Sequence, residues 1–232
     1  MDQPDIASNI AKVLLEVRAA AEKHGRDAES VTLLAVSKTK PVSAVRDAAE
    51  QGQRHFGENY LQEASEKIEA LSDLELIWHF IGPIQSNKTR PIATQFSWVH
   101  SVDRSKILRR LNEHRGDDLG PLNICLQVNV SGEASKSGVA PQELAALVRE
   151  AGDLSQLRLR GLMAIPAPAS TFEGQYDQCM RLSECFYRCK ELDPRLDTLS
   201  MGMSADLEAA IAAGSTMVRI GTAIFGARAK RS

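Results

Sequence analysis

One lysine in this sequence stands where its amine could take part in covalent chemistry. Lys38 directly follows the apolar run Val31–Ser37 (VTLLAVS), which has the composition of a buried β-strand. At the end of such a strand an amine is partly desolvated, and desolvation lowers its pKa by disfavouring the ammonium form. A neutral lysine amine can form an imine with a carbonyl compound. The alternative is a lysine whose charged end simply reaches water, as most lysines do.

Two glycine-containing segments near the C-terminus have a composition that suits an anion. They are Ser200–Ser204 (SMGMS) and Arg219–Thr222 (RIGT). Glycine lets the backbone approach a phosphate closely, while serine and threonine hydroxyls and backbone N–H groups donate to it. These segments therefore predict a phosphate site. In the alternative interpretation Ser204 caps the following helix and the glycines only form turns.

The elements that must position these residues alternate along the chain, with apolar runs separated by amphipathic segments. Strands that alternate with helices form a parallel sheet, and eight such units in 232 residues favour a closed barrel over an open sheet. We therefore predict an α/β fold, a single (β/α)8 TIM barrel forming one domain over residues 1–232. The predicted strands are Val31–Ser37, Arg54–Gly57, Leu76–Ile81, Phe96–Ser101, Leu122–Val130, Leu157–Ile165, Leu196–Leu199 and Met217–Ile220.

Helix start signals occur between these strands. The spacing of apolar residues predicts a first helix from about Pro4 to His24, and Asp103 is predicted to cap the helix that contains Ile107. In a barrel of this kind, functional groups collect at the C-terminal ends of the strands. Lys38 and both glycine-containing segments are therefore predicted to meet at one mouth. An inward-pointing Arg219 would add a permanent cation there, although a structural ion pair is the alternative.

Composition excludes several classes of function. The formal net charge is -2 and the pI about 6.2, so we expect no nucleic-acid partner. We also expect no signal peptide and no membrane span, and therefore a cytoplasmic protein. The four cysteines are expected to be reduced thiols. Cys185 and Cys189 lie four residues apart without a nearby histidine, so we expect no metal site.

Six segments, taken in order, resemble the pyridoxal phosphate homeostasis protein family. This family is a single-domain group that is similar to the barrel half of bacterial alanine racemase. The resemblance extends from the N-terminal helix to Gly226. The segments are AVSKTKP (Ala35–Pro41), FGENYLQE (Phe56–Glu63), WHFIGPIQSNK (Trp78–Lys88), GLMAIP (Gly161–Pro166), LSMGMSADLEAAIAAG (Leu199–Gly214) and VRIGTAIFG (Val218–Gly226).

The resemblance implies a fold-type III barrel that binds pyridoxal 5′-phosphate (PLP) as an imine on Lys38. It implies phosphate contacts from Ser200, Gly221 and Thr222, and it implies that Arg219 lies near the pyridine nitrogen. A guanidinium there donates to the ring nitrogen and keeps it unprotonated, which makes the ring a weaker electron sink. Three further residues are implied to line the pocket: Asn59, His79 and Met203.

The resemblance also implies a role without catalysis, in which the protein buffers or delivers PLP as part of vitamin B6 homeostasis. Racemases of the related fold need a second acid/base opposite the lysine, typically a tyrosine from a partner's extra domain. This chain ends soon after the barrel, and Tyr60 is the one plausible candidate, since Tyr176 and Tyr187 are predicted to face away from the mouth. We therefore expect no catalytic residue. The expected state is a monomer, with PLP and PLP-dependent apoenzymes as its partners.

Three further hypotheses remain open. The chain could be a weak amino-acid racemase or another PLP-dependent enzyme. It could be a Schiff-base aldolase acting on a phosphorylated sugar, which would require a lysine near the sixth strand, where the only cations are Arg158 and Arg160. Lys136, in the loop Ser131–Gly138 (SGEASKSG), could hold the aldehyde transiently, or it could be a solvated lysine or an anion contact.

Overall fold

Eight parallel strands close into a barrel in which each strand pairs with the next in chain order and β8 pairs with β1. The structure is a computed structural model that describes residues 5–133 and 136–227. The predicted (β/α)8 barrel is confirmed, and each of the eight predicted strands is present. The strands are β1 (Thr32–Val36), β2 (His55–Glu58), β3 (Ile77–Phe80), β4 (Trp98–Val102), β5 (Leu122–Gln127), β6 (Leu157–Met163), β7 (Thr198–Ser200) and β8 (Met217–Ile220).

Helices cover the outside of the barrel, so most strand residues are buried. Within the described residues, every helix is too short or too polar to cross a membrane. The helices are α1 (Ile6–Lys23), α2 (Val42–Glu50), α3 (Leu61–Ala70), α4 (Thr89–Gln95), α5 (Ser105–His114), α6 (Leu144–Gly152), α7 (Phe172–Leu192), α8 (Leu207–Ala212) and α9 (Thr222–Phe225).

The first helix packs against the last part of the barrel. Asp5 caps α1 by accepting a hydrogen bond from the Ser8 N–H at 3.0 Å. The apolar face of α1 is buried against α8 and α9. Asn9 Nδ2 donates to the carbonyl oxygen of Ile224 at 2.9 Å. The short helix after β8 is thereby fixed from the outside of the barrel.

The predicted cap at Asp103 is wrong, and so is the alternative interpretation in which Ser204 is a cap. Asp103 does not cap α5, because the residue at the cap position is Arg104. The Asp103 carboxylate instead accepts a hydrogen bond from Arg104 Nη1 at 2.6 Å. Ser204 does not cap α8, because that helix starts later and Asp206 is the residue at its N-terminus. Asp206 Oδ1 instead accepts the Met203 N–H at 2.6 Å, so the segment after β7 is closed by a turn before the helix begins.

Gly161, in β6, lies where two strands approach closely. It pairs in register with Thr198 of β7, and a Cβ atom at this position would overlap the carbonyl oxygen of Thr198. Because that oxygen belongs to the backbone of β7, which is paired with a strand on each side, it cannot move aside without displacing the β6–β7 pair. The position therefore requires glycine for steric reasons.

We expect Gly161→Ala to lower the free energy of unfolding by at least about 2 kcal/mol, since overpacking at a strand pair displaces backbone. Urea denaturation followed by circular dichroism measures the change. Gly152→Ala is the matched control, because a Cβ at Gly152, in α6, meets nothing within 4 Å. That control should be neutral or slightly more stable, since alanine favours helix. Equal stability of the two variants would contradict the steric argument.

Candidate functional site

Lys38 is held in a tight turn at the C-terminal end of β1. The strand ends at Val36, Ser37 is buried, and Lys38 is half-buried. The Lys40 N–H donates to the carbonyl oxygen of Ser37 at 3.0 Å, which closes a four-residue turn with Lys38 at its second position. Thr39, at the third position, has a φ of 63°, in the left-handed region that β-branched residues rarely adopt. The amine is thus carried by a defined, unusual turn.

Lys40 joins this turn to the segment that follows β8. Its Nζ donates to three carbonyl oxygens at 2.8, 2.9 and 2.8 Å, those of Phe225, Gly226 and Ala227. Gly221, at the start of the same segment, lies against β1, and a Cβ there would be 3.1 Å from the carbonyl oxygen of Val36. The Lys38 turn and the predicted phosphate segment are therefore neighbours at the C-terminal mouth, and Gly221 presents no side chain between them.

Asn59 lies at the same mouth, directly after β2. It lines a cavity of about 250 Å³ together with Ile81, Gln127 and Lys136. Asn59 Oδ1 is buried, and among the described residues it has no hydrogen-bond partner. A buried acceptor without a partner, on a residue that lines a cavity, suits a polar ligand that donates a hydrogen bond. Lys136 Nζ lies 3.0 Å from Glu133 Oε1; Ala134 and Ser135 of its loop lie outside the described residues.

Arg219 is buried inside the barrel rather than paired with a surface carboxylate. Its Nη1 donates to Ser200 Oγ at 2.9 Å and to the Ser200 carbonyl oxygen at 2.5 Å, and its Nη2 donates to the carbonyl oxygen of Ala164 at 2.8 Å. Burial lowers the pKa of Arg219 to about 10, so it remains a cation at neutral pH. The guanidinium therefore sits across the C-terminal ends of β6, β7 and β8.

Three hydrogen-bonded histidines extend from Ser200, beside Arg219, to the N-terminal end of the barrel. His100 Nδ1 lies 2.8 Å from Ser200 Oγ, and His100 Nε2 lies 2.9 Å from His79 Nδ1. His79 Nε2 lies in turn 2.9 Å from His55 Nδ1. His55 lines a cavity of about 620 Å³ at the N-terminal end of the barrel. A hydrogen-bonded row of rings thus runs lengthwise through the barrel and ends at Arg219.

The three imidazoles are neutral at physiological pH. Burial, with His100 and His55 as further causes, holds the pKa of His79 well below its usual value. Burial and the nearby Arg219 cation lower the pKa of His100 to about 3. Burial alone lowers the pKa of His55. Neutral imidazole can both donate and accept, which is what a row of ring-to-ring hydrogen bonds requires.

The eight predicted cofactor residues occupy two levels of the barrel. Lys38, Asn59, Gly221 and Thr222 are at the C-terminal mouth, and Met203 is 40% exposed in the segment after β7. The other three lie in the interior: His79 is fully buried between two histidines, and Ser200 Oγ contacts both His100 and Arg219. Assignment of these eight residues to a cofactor stays a prediction.

Sequence reasoning missed several residues that the structure brings to the site. His55 and His100 were missed because only register across the barrel reveals that they face His79. Lys67 and Glu58, both buried, form an ion pair at 2.7 Å. Glu63 and Lys67 are four residues apart on α3, a spacing that could have indicated part of that network. Among the described residues, no three His, Cys, Asp or Glu side chains are grouped so as to hold a metal ion.

Comparison with known proteins identifies the family. The family model for the N-terminal domain of alanine racemase matches residues 10–229. A pyridoxal phosphate homeostasis protein of Pseudomonas aeruginosa is 63% identical over 223 residues, covering 96% of both chains. The chain belongs to the pyridoxal phosphate homeostasis protein family. The Escherichia coli K12 member is 54% identical over 227 residues, covering 97% of both chains. The resemblance stated from the six sequence segments is thus confirmed.

Solved structures of this family share the barrel. PipY of Synechococcus elongatus, described as a structure without PLP, has a TM-score of 0.85 and 37% identity, covering 96% of this chain and all of that one. A second PipY structure, described as having PLP bound, has a TM-score of 0.84 at 36% identity. Alanine racemase of Corynebacterium glutamicum matches at 16% identity with a TM-score of 0.69, which establishes a shared fold alone.

The neutral histidine row predicts how stability depends on pH. A histidine whose folded pKa is depressed binds more protons when unfolded, so stability falls as pH drops below the unfolded value near 6.5. For each such ring the loss approaches about 1.4 kcal/mol per pH unit. His100→Gln keeps hydrogen-bonding groups but does not titrate, so its unfolding free energy should fall less steeply between pH 7 and pH 4.5. Urea denaturation at several pH values measures both slopes; equal slopes would contradict neutral burial of His100.

Proposed function

We propose that this protein binds PLP, holds it as an imine on Lys38, and buffers or delivers it in vitamin B6 homeostasis. The observation on which the proposal depends is the contact between the Lys38 turn and the segment after β8. That contact supports the proposal, because it brings the turn that carries Lys38 next to a candidate phosphate-binding segment. The cofactor supplies an aldehyde, which condenses with an amine to form a C=N bond and releases its oxygen as water.

The residues present fit the chemical groups of PLP. Gly221 and Thr222 offer backbone N–H groups and a hydroxyl to the phosphate, and Gly221 leaves room for its approach. Asn59 offers an orphaned buried acceptor. Arg219 supplies a permanent cation for the pyridine nitrogen, and Ser200, His79 and Met203 complete the proposed set. The relatives' names and the PipY structure with PLP bound support this reading.

The proposed role is not catalytic, because the described residues include no clear counterpart of the second acid/base that a racemase needs. Of the three tyrosines, Tyr176 and Tyr187 lie on α7, outside the barrel. Tyr60 is near the mouth, and its side chain is 53% exposed. Arg219 donates hydrogen bonds and cannot readily accept a proton, so it would keep the ring nitrogen unprotonated and weaken the cofactor as an electron sink.

The proposed setting is the cytoplasm, where the protein would act as a monomer and pass PLP to PLP-dependent apoenzymes. All four cysteines are buried and free, as suits a reducing compartment. Tyr60, Ile165 and Met203 are partly exposed around the mouth, which gives the carrier an open site for loading and release.

The imine can be tested directly. Purified protein mixed with PLP should become yellow, and borohydride should fix the adduct on Lys38, as peptide mass spectrometry can locate. Lys38→Ala should abolish the reducible band. Lys12→Ala, which removes an exposed lysine on α1, is the matched control and should behave as the wild type. A reduced adduct on another lysine, or none in the wild type, would refute the proposal.

The non-catalytic role predicts no significant formation of D-isomer when PLP-loaded protein is incubated with L-alanine or L-serine. Chiral chromatography after long incubation is the measurement. Clear turnover that disappears in Lys38→Ala would favour the racemase alternative. Turnover that also disappears in Tyr60→Phe would identify that tyrosine as the second acid/base.

Lys136 is proposed as a transient acceptor during loading and release, because it lines the same cavity as Asn59. Lys136→Ala should then slow uptake of PLP and its transfer to an apoenzyme, while leaving the equilibrium absorbance of the Lys38 adduct intact. Stopped-flow absorbance gives both rates. Unchanged rates would show that Lys136 is only paired with Glu133.

A further inference from the structure

We propose that an ion-pair network, formed by the buried Glu58 and Lys67 and the partly exposed Glu63, positions the Lys38 amine for its reaction with the cofactor aldehyde. The inference rests on the proposed function and assigns positioning residues to it. The network lies behind the Lys38 turn, on the side of β2 and α3.

Lys67 is the centre of the network. Its side chain is 3% exposed, and its Nζ donates to Glu58 Oε1 at 2.7 Å, to Glu63 Oε1 at 2.6 Å and to the carbonyl oxygen of Ser37 at 2.8 Å. These contacts use the three donors of the ammonium group. Ser37 Oγ also donates to Glu58 Oε1 at 2.6 Å. The residue before Lys38 is therefore held through both its backbone and its side chain.

The residue after Lys38 is held by the same network. The Thr39 N–H donates to Glu63 Oε1 at 2.6 Å, the oxygen that also accepts from Lys67. Thr39 has left-handed backbone geometry, which persists for a β-branched residue only where the surroundings impose it. Glu63 supplies that constraint. Both neighbours of Lys38 are therefore attached to one rigid group of charges.

The network is better suited to fixing geometry than to adding stability. Burial raises the pKa of Glu58 even though Lys67 is adjacent, which shows the cost of placing a carboxylate there. Buried ion pairs often contribute no more net stability than apolar side chains of the same volume, but they restrict the positions of the groups they join. Here one of the joined groups is the backbone on either side of Lys38.

Placement matters because the condensation is sensitive to position. A C=N bond forms between Lys38 Nζ and the aldehyde carbon, and the aldehyde oxygen leaves as water with the two amine protons. A displacement of about 1 Å from the reactive position can slow such a step by about 100-fold. The network holds the turn from the β2–α3 side, whereas the proposed phosphate contacts lie on the β8 side. Amine placement and phosphate binding can therefore be separated by mutation.

Four variants test the role. Glu63→Ala removes the acceptor of the Thr39 N–H but leaves the Lys67–Glu58 pair intact, so the fold should survive. Glu63→Gln keeps a carbonyl oxygen that can accept from the Thr39 N–H, so this variant should behave as the wild type. Lys67→Met removes the centre of the network and leaves the buried Glu58 carboxylate unpaired, which destabilises the fold. Glu66→Ala is the matched control, since Glu66 is an exposed glutamate on the same helix.

Two readouts are needed, one of them without cofactor. Hydrogen exchange of the Thr39 amide in PLP-free protein should become at least about tenfold faster in Glu63→Ala, since a protecting hydrogen bond is lost. On addition of PLP, imine formation should be about tenfold slower in the same variant, and the fraction of bound PLP fixed by borohydride should fall. Total bound PLP at saturation should change little. Glu63→Gln and Glu66→Ala should match the wild type in every readout.

Two outcomes would overturn the inference while leaving the proposed function standing. Faster exchange at Thr39 with unchanged imine formation would mean that the network only joins α3 to the barrel. Unchanged exchange at Thr39 would mean that Glu63 does not constrain the turn. If the wild type itself gives no reducible adduct on Lys38, the proposed function is wrong. The wild-type measurement is sufficient to show this, without any of the variants. If Lys67→Met does not fold, the Glu63 pair of variants still decides the question.

Discussion

The pairing of β1 with β8 is the constraint on which the site depends. Leu34 of β1 lies opposite Arg219 of β8 in this pairing, which closes the barrel. Without closure, Lys38 and Gly221 would belong to opposite edges of an open sheet. With it, the turn after the first strand meets the segment after the last. The hydrogen bonds from Lys40 to three carbonyl oxygens reinforce this junction at its outer end.

The barrel interior is unusually polar beneath that junction. Barrels of this class are commonly filled by layers of branched apolar side chains. Here the interior contains His79, His100, Ser200 and Arg219. Each of these buried groups has hydrogen-bond partners, so the cost of desolvation is largely offset. Trp98, Cys125 and Met163 form a small apolar cluster of their own, and the Trp98 ring stacks on that of His79.

The sequence was sufficient for the architecture and for placing Lys38, the proposed imine lysine, at the C-terminal end of β1. Eight apolar runs separated by amphipathic segments predict the barrel together, so the prediction does not depend on any single residue. The place of Lys38 is predicted by the apolar strand that directly precedes it. Helix caps were predicted less well, since the choice between Asp103 and Arg104 depends on a local side-chain contact. The histidine row and the Lys67 network could not be predicted, because they join residues of different strands and helices whose facing is decided by barrel register. For the same reason, the sequence did not determine whether the Arg219 side chain points into the barrel.

The histidine row has a consequence for how protons are arranged along it. Each neutral imidazole carries one N–H. His79 and His100 each pair Nε2 with one neighbour and Nδ1 with the other, and His55, at the end of the row, pairs through Nδ1. A ring that donates through Nδ1 must therefore accept at Nε2, and the next ring is compelled to do likewise. His55, His79 and His100 can share only two complete tautomeric patterns, one running toward Ser200 and one running away from it. Whether Ser200 donates or accepts toward His100 is thus decided together with the tautomer of His55 at the far end of the barrel.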